Sequence, residues 1–327
     1  MPAGSAIIVS HNSAECIETC LQSVLRHPGW DIIVVDNAST DQTLEKARSF
    51  APAISIIANT ENKGFAGAVN QAVERTESKI FIILNPDTVA KPGSLDALSL
   101  ALTSENAGAA GGLLVDAEGK PETGFTVRRF PTLASALAET LLLNRLWPRN
   151  PWNRRYRCLD LDYSQPQLVD QPAGACLAMT RAAWLDVGGF DEGFFPVWFE
   201  DVDFCRRLRE RGWKILYRPE AVFVHAGGHS VNKLSFVERQ TFWYRHLLRY
   251  FGKHHQRWEI ILLRAGIVAG TVLRSLLSLL GIRPPGVSRM LALQGYWQAG
   301  LQAFRSLPPD AVVRSSQEVS LERTSPH

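Results

Sequence analysis

The residues at 188–210, GGFDEGFFPVWFEDVDFCRRLRE, set Glu200, Asp201 and Asp203 close together behind an aromatic loop. Acids that open a helix are stabilised by its macrodipole, which is reason enough for one of them. Three exceed what capping needs, and Trp198 and Phe199 beside them can shield a carboxylate from water and tune it as a general base. A second constellation, IFIILNPDTVAKPG, places Asn85-Pro86-Asp87 directly after an apolar run. NPD is good turn chemistry. It is also a place where one carboxylate can meet a hard divalent cation, which binds through one or two carboxylates plus substrate phosphate oxygens. In HAGGHS, His225 and His229 flank two glycines. Such an imidazole is either an ordinary structural histidine or one that a soft turn brings to a metal diphosphate.

Three further clusters suit a nucleotide. Ser10-His11-Asn12 ends the first apolar run, and Asp36-Asn37-Ala38-Ser39-Thr40-Asp41 ends the second. A fixed acid at Asp36 can accept hydrogen bonds from a base N–H or a ribose hydroxyl, whereas Asn37 and Ser39 read as turn residues and Asp41 as a helix cap. In NKGFAGAVN, Lys63, Gly64, Gly67 and Asn70 lie where a loop enters a helix, and the glycines allow close backbone approach to a phosphate. Neither G-x-G-x-x-G nor G-x-x-x-x-G-K-S/T occurs, which argues against dehydrogenase and P-loop chemistry.

The elements that must hold these residues alternate. Strand-like runs at Ala6–Ser10, Asp31–Asp36, Ile54–Ala58, Ile80–Leu84 and, more weakly, Leu113–Val115 are separated by helical patterns near 15–26, 44–50, 66–75 and 93–102. This spacing predicts an α/β fold with a mostly parallel sheet. From 125 to 170 the pattern breaks into an apolar segment and a basic, aromatic one, predicting an inserted lobe. Order returns at Ala175–Thr180, followed by a helix near Val202–Arg211 and a strand pair at Lys214–Tyr217 and Ala221–His225.

The 327 residues are 46% hydrophobic and 20% charged, the composition of a globular chain, and 35 Lys+Arg against 32 Asp+Glu leave only +3, too balanced for a protein that coats nucleic acid. The five scattered cysteines have no C-x-x-C pair and fit a reducing compartment. The first residues lack a basic and a long apolar stretch, so the reading is a cytoplasmic domain without a secretory signal. Between 245 and 290, eight Lys/Arg face one acid, Glu259, a local charge of +7. Within this stretch IILLRAGIVAGTVLRSLLSLLG has the length of a membrane span, but Arg264 and Arg274 interrupt it, and an interfacial helix is expected. The predicted organisation is a catalytic domain over 1–230, a basic helical extension over 231–307 and a disordered tail over 308–327.

The order IIVSHN, VVDNASTDQT, NTENKGFAGAVNQA, LNPDT, GACLAMTRAAWLDVGGFDEGFF, FEDVDFCRRLRERGW, HAGGHS resembles glycosyltransferase family 2, and within it the bacterial rhamnosyltransferase-like enzymes of GT-A fold. The likeness covers roughly 5–230. It implies a Rossmann-like mixed sheet flanked by helices, and inverting transfer of a sugar, best matched by rhamnose from dTDP-rhamnose. The acceptor implied is a lipid-linked or polysaccharide glycan in cell-surface polysaccharide synthesis. By resemblance Asp36 contacts the nucleoside with Ser10 and Asn12 nearby, Asp201 is the general base with Glu200 as neighbour, and Asp87 with His225 holds Mg²⁺ or Mn²⁺. Asn85 stands where the family's first metal-motif acid would be, leaving ligation on one carboxylate. With the basic residues of 128–157 and the +7 segment, it implies that the 125–170 lobe faces the acceptor or membrane and that the enzyme is peripheral on the anionic inner face of the cell membrane. Two rivals are a sugar nucleotidyltransferase, which needs an arginine-containing glycine-rich loop after the first strand, and a non-catalytic membrane-associated nucleotide-sugar-binding subunit.

Overall fold

The structure is a computed structural model that describes residues 4–227 and 233–305. The chain divides into two compact units, Met1–Ser235 and Phe236–His327. His229 and the tail from 308 lie outside the described residues.

The first unit is built on a nine-stranded sheet. In chain order its strands are β1 (Gly4–Ser10), β2 (Trp30–Asn37), β3 (Ser55–Asn59), β4 (Ile80–Leu84), β5 (Thr88–Ala90), β6 (Ala107–Val115), β8 (Gln167–Leu168), β10 (Cys176–Thr180) and β11 (Lys214–His225). β7 (Val127–Arg128) and β9 (Gln171–Pro172) form a separate antiparallel ribbon. The sheet runs β3-β2-β1-β4-β10-β6-β11-β5, with β8 on β11. β1 to β4 are mutually parallel, and β10 lies antiparallel between β4 and β6. The expected mixed α/β sheet is therefore present.

Alternate residues of the central strands enter opposite cores. Ala6, Ile8, Val34, Ile82 and Leu84 pack with Leu21 of α1 (Ile17–Leu25) and with Leu95 and Leu98 of α4 (Ser94–Ala101). Ile7, Ile33, Val35, Phe81 and Ile83 pack with Val69 of α3 (Gly64–Val73), Trp184 of α8 (Arg181–Val187) and Phe204 of α9 (Glu200–Glu210). Burial on both faces explains why these strands read as continuous apolar runs.

Two strands depart from the sequence expectation. Pro219 suggests a break between two strands, but β11 runs on as one, with a register shift between Arg218 and Val222 that absorbs the missing N–H. β6 starts at Ala107, earlier than the weak run near Leu113, because its AGAAGG half lacks the β-branched residues that signal a strand. The glycines answer crowding: a Cβ on Gly111 would lie 2.2 Å from Pro172 Cβ, and one on Gly112 2.3 Å from Ala221 O. The 125–170 stretch supplies β7 and the short helices α5 (Leu133–Thr140), α6 (Leu143–Leu146) and α7 (Pro151–Tyr156). α2 (Thr43–Arg48) follows the β2 loop.

The second unit contains α10 (Phe236–His254), α11 (Arg257–Leu279) and α12 (Arg289–Gln302). α11 buries Leu263, Gly266, Ile267, Gly270 and Thr271. Its other side shows Trp258, Ile261, Leu262, Val272, Leu273, Leu276 and Leu279 to solvent, and exposed Ala265 and Ala269 continue this face at helical spacing between Leu262 and Val272. The two arginines that interrupt the apolar stretch lie off this stripe, Arg264 donating to Arg305 O and Arg274 to Gly270 O.

Candidate active site

Because the sheet grows from β1 first toward β2 and β3 and then toward β4, its direction reverses between β1 and β4. Ligands of open α/β sheets bind at such a reversal, outside the carboxyl ends of the strands. Ser10 ends β1 in register with Asp36 near the end of β2. Ser10 Oγ lies 3.4 Å from Asp36 Oδ1, and Ser39 N–H donates to Asp36 Oδ2 at 3.1 Å. Asp36 is buried, so its carboxylate is fixed at the strand end.

Asn12, expected near the nucleoside, is part of the loop framework at this strand end. With φ of 51°, it turns its Oδ1 onto Thr40 N at 2.7 Å and Asp41 N at 3.3 Å, tying the β1 loop to the β2 loop. Asp41 braces the same corner through Ala14 N–H and both donors of Thr43. Burial opposes ionisation there, but the Thr43 and Ala14 hydrogen bonds hold the Asp41 carboxyl below its ordinary value. Asn37, read from sequence as a turn residue, is a buried hub. It accepts from Lys63 N at 3.0 Å and donates to Asn62 Oδ1 at 2.9 Å and Gly64 O at 3.1 Å.

The loop into α3 is organised toward protein. Gly64 has φ of +72° and a Cβ there would meet the Phe195 ring at 2.8 Å, while Phe65 N–H donates to Pro196 O at 2.8 Å. On its Cβ side the space that glycine leaves is filled by the Phe195-Pro196 segment. Asn70 likewise holds the 190–192 loop, donating to Phe190 O at 3.0 Å and Glu192 Oε1 at 2.8 Å and accepting from Phe190 N at 3.1 Å. Lys63 stands exposed ahead of α3.

β5 pairs with β11 so that Thr88 faces His225, which brings Asp87 to that histidine. Both side chains are buried, with His225 Nε2 3.8 Å from Asp87 Oδ1. His225 Nδ1 lies 2.9 Å from Glu122 Oε2, and the Phe125 ring stacks on the imidazole with centroids 5.1 Å apart. The carboxylate can only accept, so Nδ1 carries the proton and Nε2 faces Asp87. Among the described residues no three His, Cys, Asp or Glu side chains gather as a metal cage. The Asp87–His225 pair suits a cation that takes its other ligands from a diphosphate and water. Lys233 donates to His11 O at 3.3 Å, adding a cation beside the β1 end that the sequence reading did not identify.

α9 begins after Trp198 and Phe199, two consecutive non-glycine residues at φ of 81° and 73°, a strained turn of the kind concentrated at functional sites. It delivers Glu200 and Asp201 differently. Asp201 Oδ2 accepts from Gly174 N at 2.9 Å and Gln171 Nε2 at 3.2 Å, and Oδ1 from Val202 N at 2.8 Å. Burial raises the Asp201 carboxyl above the ordinary carboxylate value, while the Val202 and Gly174 hydrogen bonds and the charge of Arg128 limit the rise. Glu200 is buried with Oε2 unpartnered, and burial together with the Asp201 charge pushes it well up. The third acid, Asp203, is paired: Arg207 Nε donates to it at 2.8 Å and also reaches Gly189 O through Nη2, tying α9 to the GGF loop.

The two halves meet through residues 173–176. Asn85 N–H donates to Ala175 O at 3.0 Å, one residue from the Gly174 N–H that holds Asp201. A Cβ at Gly174 would lie 2.9 Å from Asp201 Oδ2, so glycine there is set by the carboxylate. Sequence reasoning gave no role to Gly174, although it opens the GACLAMTRAAWLDVGGFDEGFF segment, or to Glu122, which lies outside the quoted motifs.

A family model described as Glycosyl transferase family 2 matches residues 5–182. The N-acetylglucosaminyl-diphospho-decaprenol L-rhamnosyltransferase of Mycobacterium tuberculosis is 31% identical over 245 residues, covering 67% of this chain and 78% of that protein. Rhamnosyltransferase WbbL of Escherichia coli K12 is 25% identical over 73% of this chain and 88% of its own length. Among solved structures, the mannosyltransferase PcManGT from Pyrobaculum calidifontis in complex with GDP-Man and Mn²⁺ superposes with a TM-score of 0.54 at 18% identity, covering 93% of this chain and 87% of that one. S. aureus TarS 1-349 in complex with UDP-GlcNAc gives 0.51 at 16% identity, covering 90% and 80%. At these identities the superpositions establish the fold.

Proposed function

The chain belongs to glycosyltransferase family 2, and from that premise we propose that it transfers a sugar with inversion, rhamnose from dTDP-rhamnose, to a glycan carried on a lipid diphosphate. The observation that carries this reading is the pair of unlike carboxylate settings joined through 173–176. Asp201 is oriented by two backbone N–H groups with its pKa raised, and Asp87 faces an imidazole nitrogen.

Asp201 removes the proton from the acceptor hydroxyl as the hydroxyl oxygen bonds to the anomeric carbon. The bond from that carbon to the diphosphate oxygen breaks on the opposite face, and its electron pair leaves with the nucleoside diphosphate. Asp87 and His225 would hold a divalent cation, Mg²⁺ or Mn²⁺, which supplies charge neutralisation to the departing diphosphate. Asp36, with Ser10, is the acceptor of hydrogen bonds from the nucleoside. The Mycobacterium tuberculosis and Escherichia coli relatives are both named as rhamnosyltransferases, and one is named for a diphospho-decaprenol acceptor, which supports the donor and acceptor chosen.

The test is incubation of the enzyme and Mn²⁺ with dTDP-rhamnose, UDP-GlcNAc or GDP-mannose and polyprenyl-diphosphate GlcNAc, with the lipid product resolved by mass. Addition of a deoxyhexose only from dTDP-rhamnose is expected. Transfer from another donor would overturn the donor assignment, and no transfer from any would overturn the acceptor class.

We also place the protein peripherally on the inner face of the cell membrane, supported by the exposed apolar stripe of α11 in a +7 stretch. Replacing Ile261, Leu262, Leu273 and Leu276 by Asp should lower partitioning onto anionic liposomes by roughly 10-fold or more, since each exposed aliphatic side chain contributes on the order of 1–3 kcal/mol when buried. Unchanged co-sedimentation of the folded quadruple variant would remove the stripe from membrane binding.

A further inference from the structure

We propose that Glu122 is a positioning residue that fixes the tautomer and ring plane of His225, so that Nε2 is presented as a ligand toward the Asp87 side. This inference rests on the reading of Asp87 and His225 as the cation-holding pair.

Glu122 is not held loosely. The turn after β6 is closed by Asp116, which accepts from Glu118 N and Lys120 N through its side chain. That turn brings Pro121 against Val115, and Glu122 N–H donates to Leu114 O at 2.9 Å. Glu122 O in turn accepts from Phe125 N at 3.1 Å and Thr126 N at 3.0 Å. The same short segment therefore supplies both restraints on the imidazole, the Glu122 carboxylate at Nδ1 and the Phe125 ring stacked at 7° to its plane. Gly227 leaves room for the contact, since even a Cβ there would lie 3.8 Å from both Glu122 Oε1 and His225 Cε1.

The remaining nitrogen explains why such a clamp is useful. At 3.8 Å, Nε2 and Asp87 Oδ1 are too far apart for a hydrogen bond. Two donor atoms that share one cation at about 2.1 Å each are separated by roughly 3–4 Å, depending on the angle at the ion. A histidine ligand whose second nitrogen donates to a carboxylate is held in one tautomer and is more basic, and loss of that partner weakens metal affinity roughly 10–100-fold. A Glu at this place with no link to a ligand site would need only to satisfy itself, and solvent at the loop surface could do that.

The experiment measures Mn²⁺ affinity by electron paramagnetic resonance of free Mn²⁺, with dTDP present, for wild type, Glu122→Ala, Glu122→Gln and Asp87→Ala. Glu122→Ala is expected to weaken Mn²⁺ binding about 10–100-fold. Glu122→Gln, which keeps an oxygen acceptor for the Nδ1 proton, should recover most of the loss. Melting temperatures without metal should stay within a few degrees of wild type for both. Wild-type Mn²⁺ affinity in a folded Glu122→Ala overturns the proposal, as does equal weakening in Ala and Gln variants accompanied by an equal fall in metal-free melting temperature. Wild-type affinity in Asp87→Ala instead overturns the underlying cation site, and with it the role given to Glu122.

Discussion

Asp201→Asn should lower kcat by roughly 10²–10⁴-fold, the range that a positioned general base contributes, while donor affinity stays within about twofold of wild type. The separation follows from the different groups involved: Asp201 is held by Gly174, Gln171 and Val202, whereas the corner proposed for the nucleoside is built from Ser10 and Asp36. Asparagine offers one acceptor oxygen where the carboxylate has two. One of the two backbone N–H groups then loses its acceptor, at a cost on the order of 1–3 kcal/mol. Activity must therefore be compared on protein shown to be folded. The pH profile provides a second readout. A base whose pKa is raised by burial loses activity as pH falls through that raised value, so the acidic limb of kcat/KM should lie above the ordinary carboxylate range. Gly174→Ala separates orientation from proton removal. Its φ is not left-handed, so the new methyl acts by pushing on Asp201 from 2.9 Å, and a fall in kcat with an unmoved donor Kd is the expected result. Retention of wild-type turnover by Asp201→Asn would exclude it as the base and return attention to Glu200, whose unpartnered buried oxygen is its neighbour.

The second large effect is expected of Asp87→Ala. Removing this carboxylate leaves His225 as the one remaining protein group of the pair, and turnover should fall by about 10²–10³-fold or more, the loss typical of one preorganised group that stabilises transition-state charge. Here donor binding should change as well. In titration calorimetry Mn²⁺ should strengthen dTDP binding to wild type and have little effect on the variant. The fold should tolerate the change, because the contact that links this corner to the β11 end is made by backbone, Ala226 N–H to Asp87 O at 3.1 Å, and alanine keeps it. Equal Mn²⁺ enhancement in wild type and Asp87→Ala would mean that the cation is held elsewhere. Asn85 gives this result added interest. Its backbone N–H is engaged with Ala175 O, and as a neutral amide it cannot replace the lost charge of Asp87.

Much of this protein was decided by short-range chemistry and could be read from residues in order. Strands buried on both faces must be apolar throughout, so DIIVVD and IFIIL declared themselves, and the polar residues that follow them had to lie at strand ends. The acids Asp36, Asp87 and Asp201 and the imidazole of His225 were conspicuous for the same reason, and their order along the chain carried the family. Tertiary structure decided which groups face each other. Nothing local links Glu122 to His225, 103 positions away, or Gly174 to Asp201, yet those contacts determine which imidazole nitrogen is presented and where the carboxylate points. It also supplied protein partners that residue type does not reveal. Gly64 and Asn70 have the small and amide side chains of a ligand loop, and they pack with the Phe195-Pro196 and Phe190–Glu192 segments. The continuity of β11 through Pro219 and the early start of β6 belong to the same class, because neighbours that approach within a methyl's radius set the need for a bulge or a glycine. Side-chain type and periodicity are properties of a few consecutive residues, whereas hydrogen-bond partnership and close approach depend on segments that only the folded sheet brings together.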